Sequence, residues 1–307
     1  MDFVNHIILK KVSLFMPFLE LLPLIFRVAF SPSDLLPYPS VRYTACAATG
    51  YNQHMPDQIR SFRAEAVVLR HANWGEADRI LTIYTRDQGK IRVIAKGARK
   101  IRSRKAGHLE PFTHITLQLA KSRDLPIVTQ VETLDPYLPL REDLIRTGYA
   151  AYVMELLDRF TYEEEGPHPS LFHLLTDTLT RLCGQAESWT IVRYYEMRLL
   201  DFLGFRPQLV ECANCRAAIE PVDQYFSPSA GGIICPKCGA GLPGLWPVSV
   251  EALKYLRHFQ RSNFNDAARA KVAPEIQKEV ETLMQAYFTY LLERSLNTPG
   301  FIKRMKS

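Results

Sequence analysis

Cysteine is scarce in this chain, with six in 307 residues, and two of them, Cys46 and Cys183, stand alone. A dense disulfide framework is therefore excluded. No glycine-rich stretch has the spacing of a phosphate-cradling loop, no nucleophile sits in a motif with its base, and no cluster offers a metal an open position. Hydrolase and transferase chemistry lacks its parts, so the protein is expected not to be an enzyme and no catalytic residue is assigned. Glu76 and Asp78 could suggest a carboxylate pair, but at a strand entry they read more simply as turn and charge-balancing residues. Uninterrupted apolar runs are missing too. Ser13 to Phe30 is strongly apolar but holds Glu20, Arg27, Pro17 and Pro23. An arginine near a bilayer centre costs about 2.5–3.5 kcal/mol, and proline breaks the helix, which argues against a membrane span. Neither repeats nor low-complexity segments stand out.

The first stretch differs from the rest. Lys10 and Lys11 before the apolar run and Ala45-Cys46-Ala47 after it have parts of a signal peptide, but Glu20 interrupts the run, which ends well before that site. The preferred reading is that translation begins at Met55 and that 1–58 is an extension without a folded role. The 307 residues have room for two or three domains, and the 47% apolar fraction is that of a globular protein.

What cysteine there is has a pattern. Cys212 and Cys215 form one CxxC, Cys235 and Cys238 a second, nineteen residues on. Each pair can set two thiolates on one side of a tight turn, and the loop lets the pairs close a tetrahedral zinc site with Zn–S distances of about 2.3 Å. Disulfides or free thiols are the alternative, and little in the chain indicates export to an oxidising compartment. Four thiolates fill the coordination sphere, so the zinc would hold shape and do no chemistry. This module is assigned to 211–244.

Acid is the second local absence. The formal charge is only +6, but from Lys90 to Lys105 the chain carries Lys90, Arg92, Lys96, Arg99, Lys100, Arg102, Arg104 and Lys105 with no acidic residue. A run of this kind is often only a solvated surface. Here it follows a strand whose exposed face is already basic, which concentrates positive potential on one side and favours phosphate-backbone binding. Strands are expected at Ala64–Arg70, Arg79–Thr85, Lys90–Lys96, Phe112–Leu119 and Ile127–Leu134, with turns at 71–75 and at Asp87-Gln88-Gly89. Five short strands with a basic connection suit an OB-type barrel over 59–137. Stacking aromatics are few, Trp74 and Tyr84 being the nearest.

Beyond Pro136 the period changes to that of helices: Arg141 to Tyr162, Pro169 to Leu182, Ser188 to Leu203, Ser249 to Phe259 and Pro274 to Arg294. Gly204 is placed to stop the third, and Ser249 to cap the fourth. The fold class is α+β: an N-terminal OB-fold barrel, then a helical domain in two parts, 138–210 and 245–307, with the four-cysteine module inserted between them.

Several separated motifs occur in register: Gly75-Glu76-Ala77-Asp78, Gly89-Lys90, Ala95-Lys96-Gly97-Ala98-Arg99, Gly107-His108-Leu109-Glu110-Pro111-Phe112, Leu203-Gly204-Phe205 and Phe226-Ser227-Pro228. Together, from about Phe62 to Arg294, they resemble the RecO family of bacterial recombination-repair proteins. The resemblance implies binding of single- and double-stranded DNA, annealing of complementary strands, and work with RecR to let RecA replace SSB on single strands. It also implies a cytoplasmic, nucleoid-associated location and no membrane. Some members lack the cysteines, so zinc would support the fold and not the activity. In this family the helical domain accepts the C-terminal tail of SSB, and Arg257, His258 and Arg261 are candidate charges for it, a solvated helix face being the simpler reading. The alternative function is a zinc-ribbon transcription or RNA-binding factor, but Arg216 and Lys237 are the only basic residues of the module, against Glu211, Glu220 and Asp223.

Overall fold

A computed structural model of the chain describes residues 61–163, 165–184 and 186–306. All fall within one compact unit, Pro56–Ser307. The expected extension, and with it the reading of Met55 as the start, lies outside the described residues.

The strands β1 (Ser61–Trp74), β2 (Asp78–Thr85), β3 (Gly89–Ala95), β4 (His114–Ala120) and β5 (Ile127–Asp135) close a barrel in the order β1-β2-β3-β5-β4. All neighbours are antiparallel except β3 and β5, which meet through one parallel register, Ile94 with Ile127. Alternation explains why Val67, Val68 and Leu69 are consecutive. Ala64, Ala66 and Val68 point into the barrel with Leu81, Ile83, Val93 and Ile115, while Val67, Leu69 and Tyr84 belong to the core shared with the helices. The barrel is thus buried on both faces of β1. Strand β1 also runs to Trp74, where the sequence suggested a turn from His71; a register shift between Val68 and Arg70 lets the strand bend and continue. The β2–β3 turn needs a glycine. Gly89 has φ +69°, and a Cβ there would lie 2.4 Å from Gly166 O.

Helices follow: α1 (Leu138–Glu142), α2 (Leu144–Phe160), α3 (Pro169–Cys183) and α4 (Ser188–Phe202). Asp143 caps α2 by accepting from Ile145 N and Arg146 N, and Gly204 ends α4 at φ +78°. The module contributes β6 (Gln224–Ser227), β7 (Gly232–Ile234), the one-turn α5 (Pro236–Gly239) and β8 (Trp246–Val248) in a three-stranded sheet, ordered β7-β6-β8. Phe226, Ile233 and Val248 join the helical core, with the Phe226 ring edge-on to Tyr287 at 5.2 Å. Next come α6 (Val250–Arg261), capped by Ser249, then α7 (Phe264–Ala267), α8 (Pro274–Leu292) and α9 (Thr298–Lys306). The sequence did not suggest α9, in which Pro299 and Gly300 weaken the pattern. It is held from outside itself: Glu155 accepts from Asn297 N, Thr298 N and Thr298 Oγ1, and Gly148 of α2 leaves room for Met305 and Ile302. No described helix is long and apolar enough to cross a membrane.

Candidate nucleic-acid interface and metal centre

The connection from β3 to β4 is built on anchors at both ends. Ala98 and Leu109 are fully buried in the barrel core, so the intervening segment is pinned at each side and pushed outward between them. At the first anchor Gly97 N donates to Asp78 Oδ1 at 2.7 Å, and Arg99 N to Ala77 O at 2.9 Å. The Gly75-Glu76-Ala77-Asp78 motif therefore holds the base of the basic loop. At the second, Glu110 accepts from Arg79 Nη1 at 2.8 Å and lies 3.3 Å from His71 Nε2. Burial raises the Glu110 carboxyl, but these two partners outweigh it and leave the group below its usual value.

The eight cations of the basic run have three different fates. Lys96, Arg99, Lys100, Arg102 and Arg104 are exposed on the loop, and no described acid pairs with any of them; Arg99 donates to Gly75 O at 3.1 Å. Ile101, also on the loop, is fully exposed. Lys105 turns back and donates to Val128 O at 3.0 Å. Lys90 and Arg92 point at the helical domain. The Lys90 side chain, only 10% exposed, donates to Asp158 O at 2.6 Å and Asp158 Oδ1 at 3.0 Å, while Arg70 Nε donates to Asp158 Oδ2 at 2.9 Å. Arg92 reaches Glu163 at 2.8 Å. The outward face of β3 is basic, as its alternation indicates, but at Lys90 and Arg92 it meets acids of α2 and the chain just after it.

Of the two aromatics considered for stacking, Tyr84 is 1% exposed and lies in the core, which removes it, whereas Trp74 is 59% exposed beside the loop's base. The β4–β5 loop adds Lys121 and Arg123, both exposed. Pro126 O of that loop accepts from Ile94 N at 2.9 Å, which sets it against β3. In sequence Asp124 follows them directly, so no uninterrupted basic run marks them.

The four cysteines come together as their spacing requires. The Sγ atoms of Cys212, Cys215, Cys235 and Cys238 lie within 4.8 Å of one another. Cys215 and Cys235 are 3.8 Å apart, far beyond the roughly 2.05 Å of a disulfide and close to the edge of a tetrahedron with Zn–S bonds of about 2.3 Å. Burial would raise the Cys212 thiol, yet backbone N–H groups of Cys235, Cys215 and Asn214 outweigh it and lower it to about 6. Amides thus favour a thiolate at Cys212, while the neighbouring Cys235 thiol pushes Cys238 the other way. An all-thiolate set fits a structural zinc, which would be held by these four residues and tie the Cys212 turn to α5 without an open coordination position.

Comparison with known proteins adds a third observation. The family profile described as "Recombination protein O N terminal" matches 59–137, and "Recombination protein O C terminal" matches 141–299. A protein of Roseiflexus sp. (strain RS-1) is 44% identical over 244 residues, covering 79% of this chain and 85% of its own length. One from Dehalococcoides mccartyi (strain ATCC BAA-2266) is 38% identical over 233 residues, 76% of this chain and 91% of its own. One from Nocardioides sp. (strain ATCC BAA-499) is 36% identical over 246 residues, 79% and 99% respectively. Each carries the name DNA repair protein RecO.

Proposed function

The chain belongs to the RecO family of DNA repair proteins, and from that premise we propose that it binds single- and double-stranded DNA through the β3–β4 loop of its barrel and anneals complementary strands. Five exposed cations without described acid partners, four of them hung between two buried anchors and Lys96 just before the first, carry this reading. Lys96, Arg99, Lys100, Arg102 and Arg104 lower the repulsion between two phosphate backbones so that bases meet, and pairing itself supplies the sequence specificity. Trp74 offers a face for a base. Lys90, Arg92 and Lys105 support this surface from behind and are not themselves phosphate contacts. The protein acts as a mediator and not as an enzyme: with RecR it helps RecA replace SSB on single strands, and its helical domain receives the acidic tail of SSB. Zinc on Cys212, Cys215, Cys235 and Cys238 is structural.

The test is a salt titration. Five phosphate contacts give a slope of log affinity against log salt of about −3.5 for a single strand, a loss of about a hundredfold between 50 and 200 mM salt. Alanine at the five loop positions should flatten that slope and slow annealing, with the zinc content unchanged. Undiminished affinity in that variant refutes the barrel reading.

A further inference from the structure

Arginines of the helical domain are compensated with regularity. Arg146 pairs with Asp143, Arg159 with Glu155, Arg181 with Asp177 and Arg198 with Asp201. Helix α6 breaks the rule. Its buried face, Leu253, Leu256 and Phe259, packs into the core, while Lys254, Arg257, His258 and Arg261 recur at the i, i+3, i+4 and i+7 spacing that sets side chains on one face. Lys254 and Arg261 are exposed and pair with no described acid. Arg257 Nε donates to Leu209 O at 2.7 Å, which leaves the rest of its guanidinium without a described acid partner. Burial and then the neighbouring Arg261 lower Arg257 below its usual value, so these two guanidiniums feel each other. His258 is occupied: its ring nitrogens face Ser262 Oγ at 3.1 Å and Asp266 O at 3.2 Å. The nearest acid on the helix, Glu251, sits in the first turn, where it complements the helix dipole.

We propose that Lys254, Arg257 and Arg261 form a second phosphate-backbone site, on the helical domain, so that one chain can hold two nucleic-acid strands at once. The three cations lie at one-turn spacing, a stripe of about 10 Å that matches the separation of a few phosphates along a strand. An acidic, apolar peptide suits the face less well. Such a peptide needs an apolar groove beside the charges, and the open groove of the helical domain, with Trp246, Tyr290 and Pro243 in its wall, is lined by no residue of α6. The inference rests on the barrel reading only in calling the site the second of two.

The experiment uses the full chain with labelled oligothymidylate. Lys254→Ala with Arg261→Ala removes two exposed cations and no packing; adding Arg257→Ala removes the third but also a hydrogen bond, so the double variant guards against misfolding, with circular dichroism as control. Energy transfer between donor- and acceptor-labelled oligothymidylates reports two strands on one protein. The double variant should lower that signal at least fivefold while the first oligonucleotide still binds. The five-alanine loop variant should keep a weaker, salt-dependent binding that the double substitution then abolishes. Unchanged bridging together with unchanged residual binding overturns the proposal. So does loss of affinity for an acidic, apolar peptide with bridging intact, which would make α6 a protein-docking face. Should the loop variant bind the first oligonucleotide as the parent does, the barrel reading fails, and the α6 substitutions still decide this site separately.

Discussion

Lys90→Met separates two roles that look alike in sequence. The methionine keeps the length of the stem and removes the ammonium, which donates to Asp158 O and Asp158 Oδ1 from a side chain only 10% exposed. Asp158 keeps Arg70, so the carboxylate is not orphaned. A buried pair broken at one end costs about 3–5 kcal/mol and an exposed pair about 0–1; with a second cation on the acid and a methionine filling the space, about 1–2 kcal/mol is expected here. For a folded unit of this size that lowers Tm by roughly 2–8 °C. The single-strand salt slope should stay where it was, because the cation lies behind the binding surface. Chemical denaturation and an affinity titration at several salt concentrations check both sides. An unchanged Tm with a slope shallower by about 0.7 would refute the argument and return Lys90 to the phosphate contacts.

Other outcomes follow from the same geometry. Gly89→Ala places a Cβ 2.4 Å from Gly166 O on a backbone at φ +69°, so thermal melting should show a loss of about 1–3 kcal/mol. Chelation of zinc, or Cys212→Ser, should lower stability by about 4 kcal/mol where free zinc exceeds its dissociation constant a thousandfold, with DNA binding lost only as the fold is lost; a zinc-free form that melts like the parent contradicts the structural role. Acid should loosen the α2 contacts. Burial raises Glu155 and Asp158, but backbone amides of Asn297 and Thr298 for the first, and Arg70 and Lys90 for the second, outweigh it and lower both. Their stabilisation is thus full above the unfolded carboxyl pKa of about 4 and disappears as pH falls through the lower folded values, and Glu155→Gln should weaken that pH dependence in urea titrations.

The barrel was legible because its strands alternate, and the four-cysteine cluster because two CxxC pairs have few other uses. Helices α2, α3, α4, α6 and α8 were legible from their apolar stripes. What sequence could not supply was the identity of the neighbour. Lys90 and Arg92 face outward on β3 by alternation, and Lys96 just after it continues the pattern, yet a period of two does not say whether outward means water or Asp158 and Glu163. Glu163 lies 71 residues from Arg92, and no local pattern in sequence pairs the two. Tyr84 and Trp74 are alike as aromatics near a basic loop, but only the first has helices packed over it. Helix α9 escaped because its capping groups come from Glu155, 143 residues earlier.

The barrel's single parallel rung has a dynamic consequence. Ile94 and Ile127 are the one register joining β3 to β5, so this seam opens before the long antiparallel ladders do, and its amides should exchange with solvent fastest among the strands. The basic loop leaves β3 at that seam and is stapled to its far side by Lys105 on Val128 O and by His108 against Thr133 Oγ1 at 2.7 Å. A polyanion that orders the loop would therefore slow breathing of the barrel at a distance from the phosphates themselves, and deuterium uptake at Ile94 becomes a gauge of occupancy.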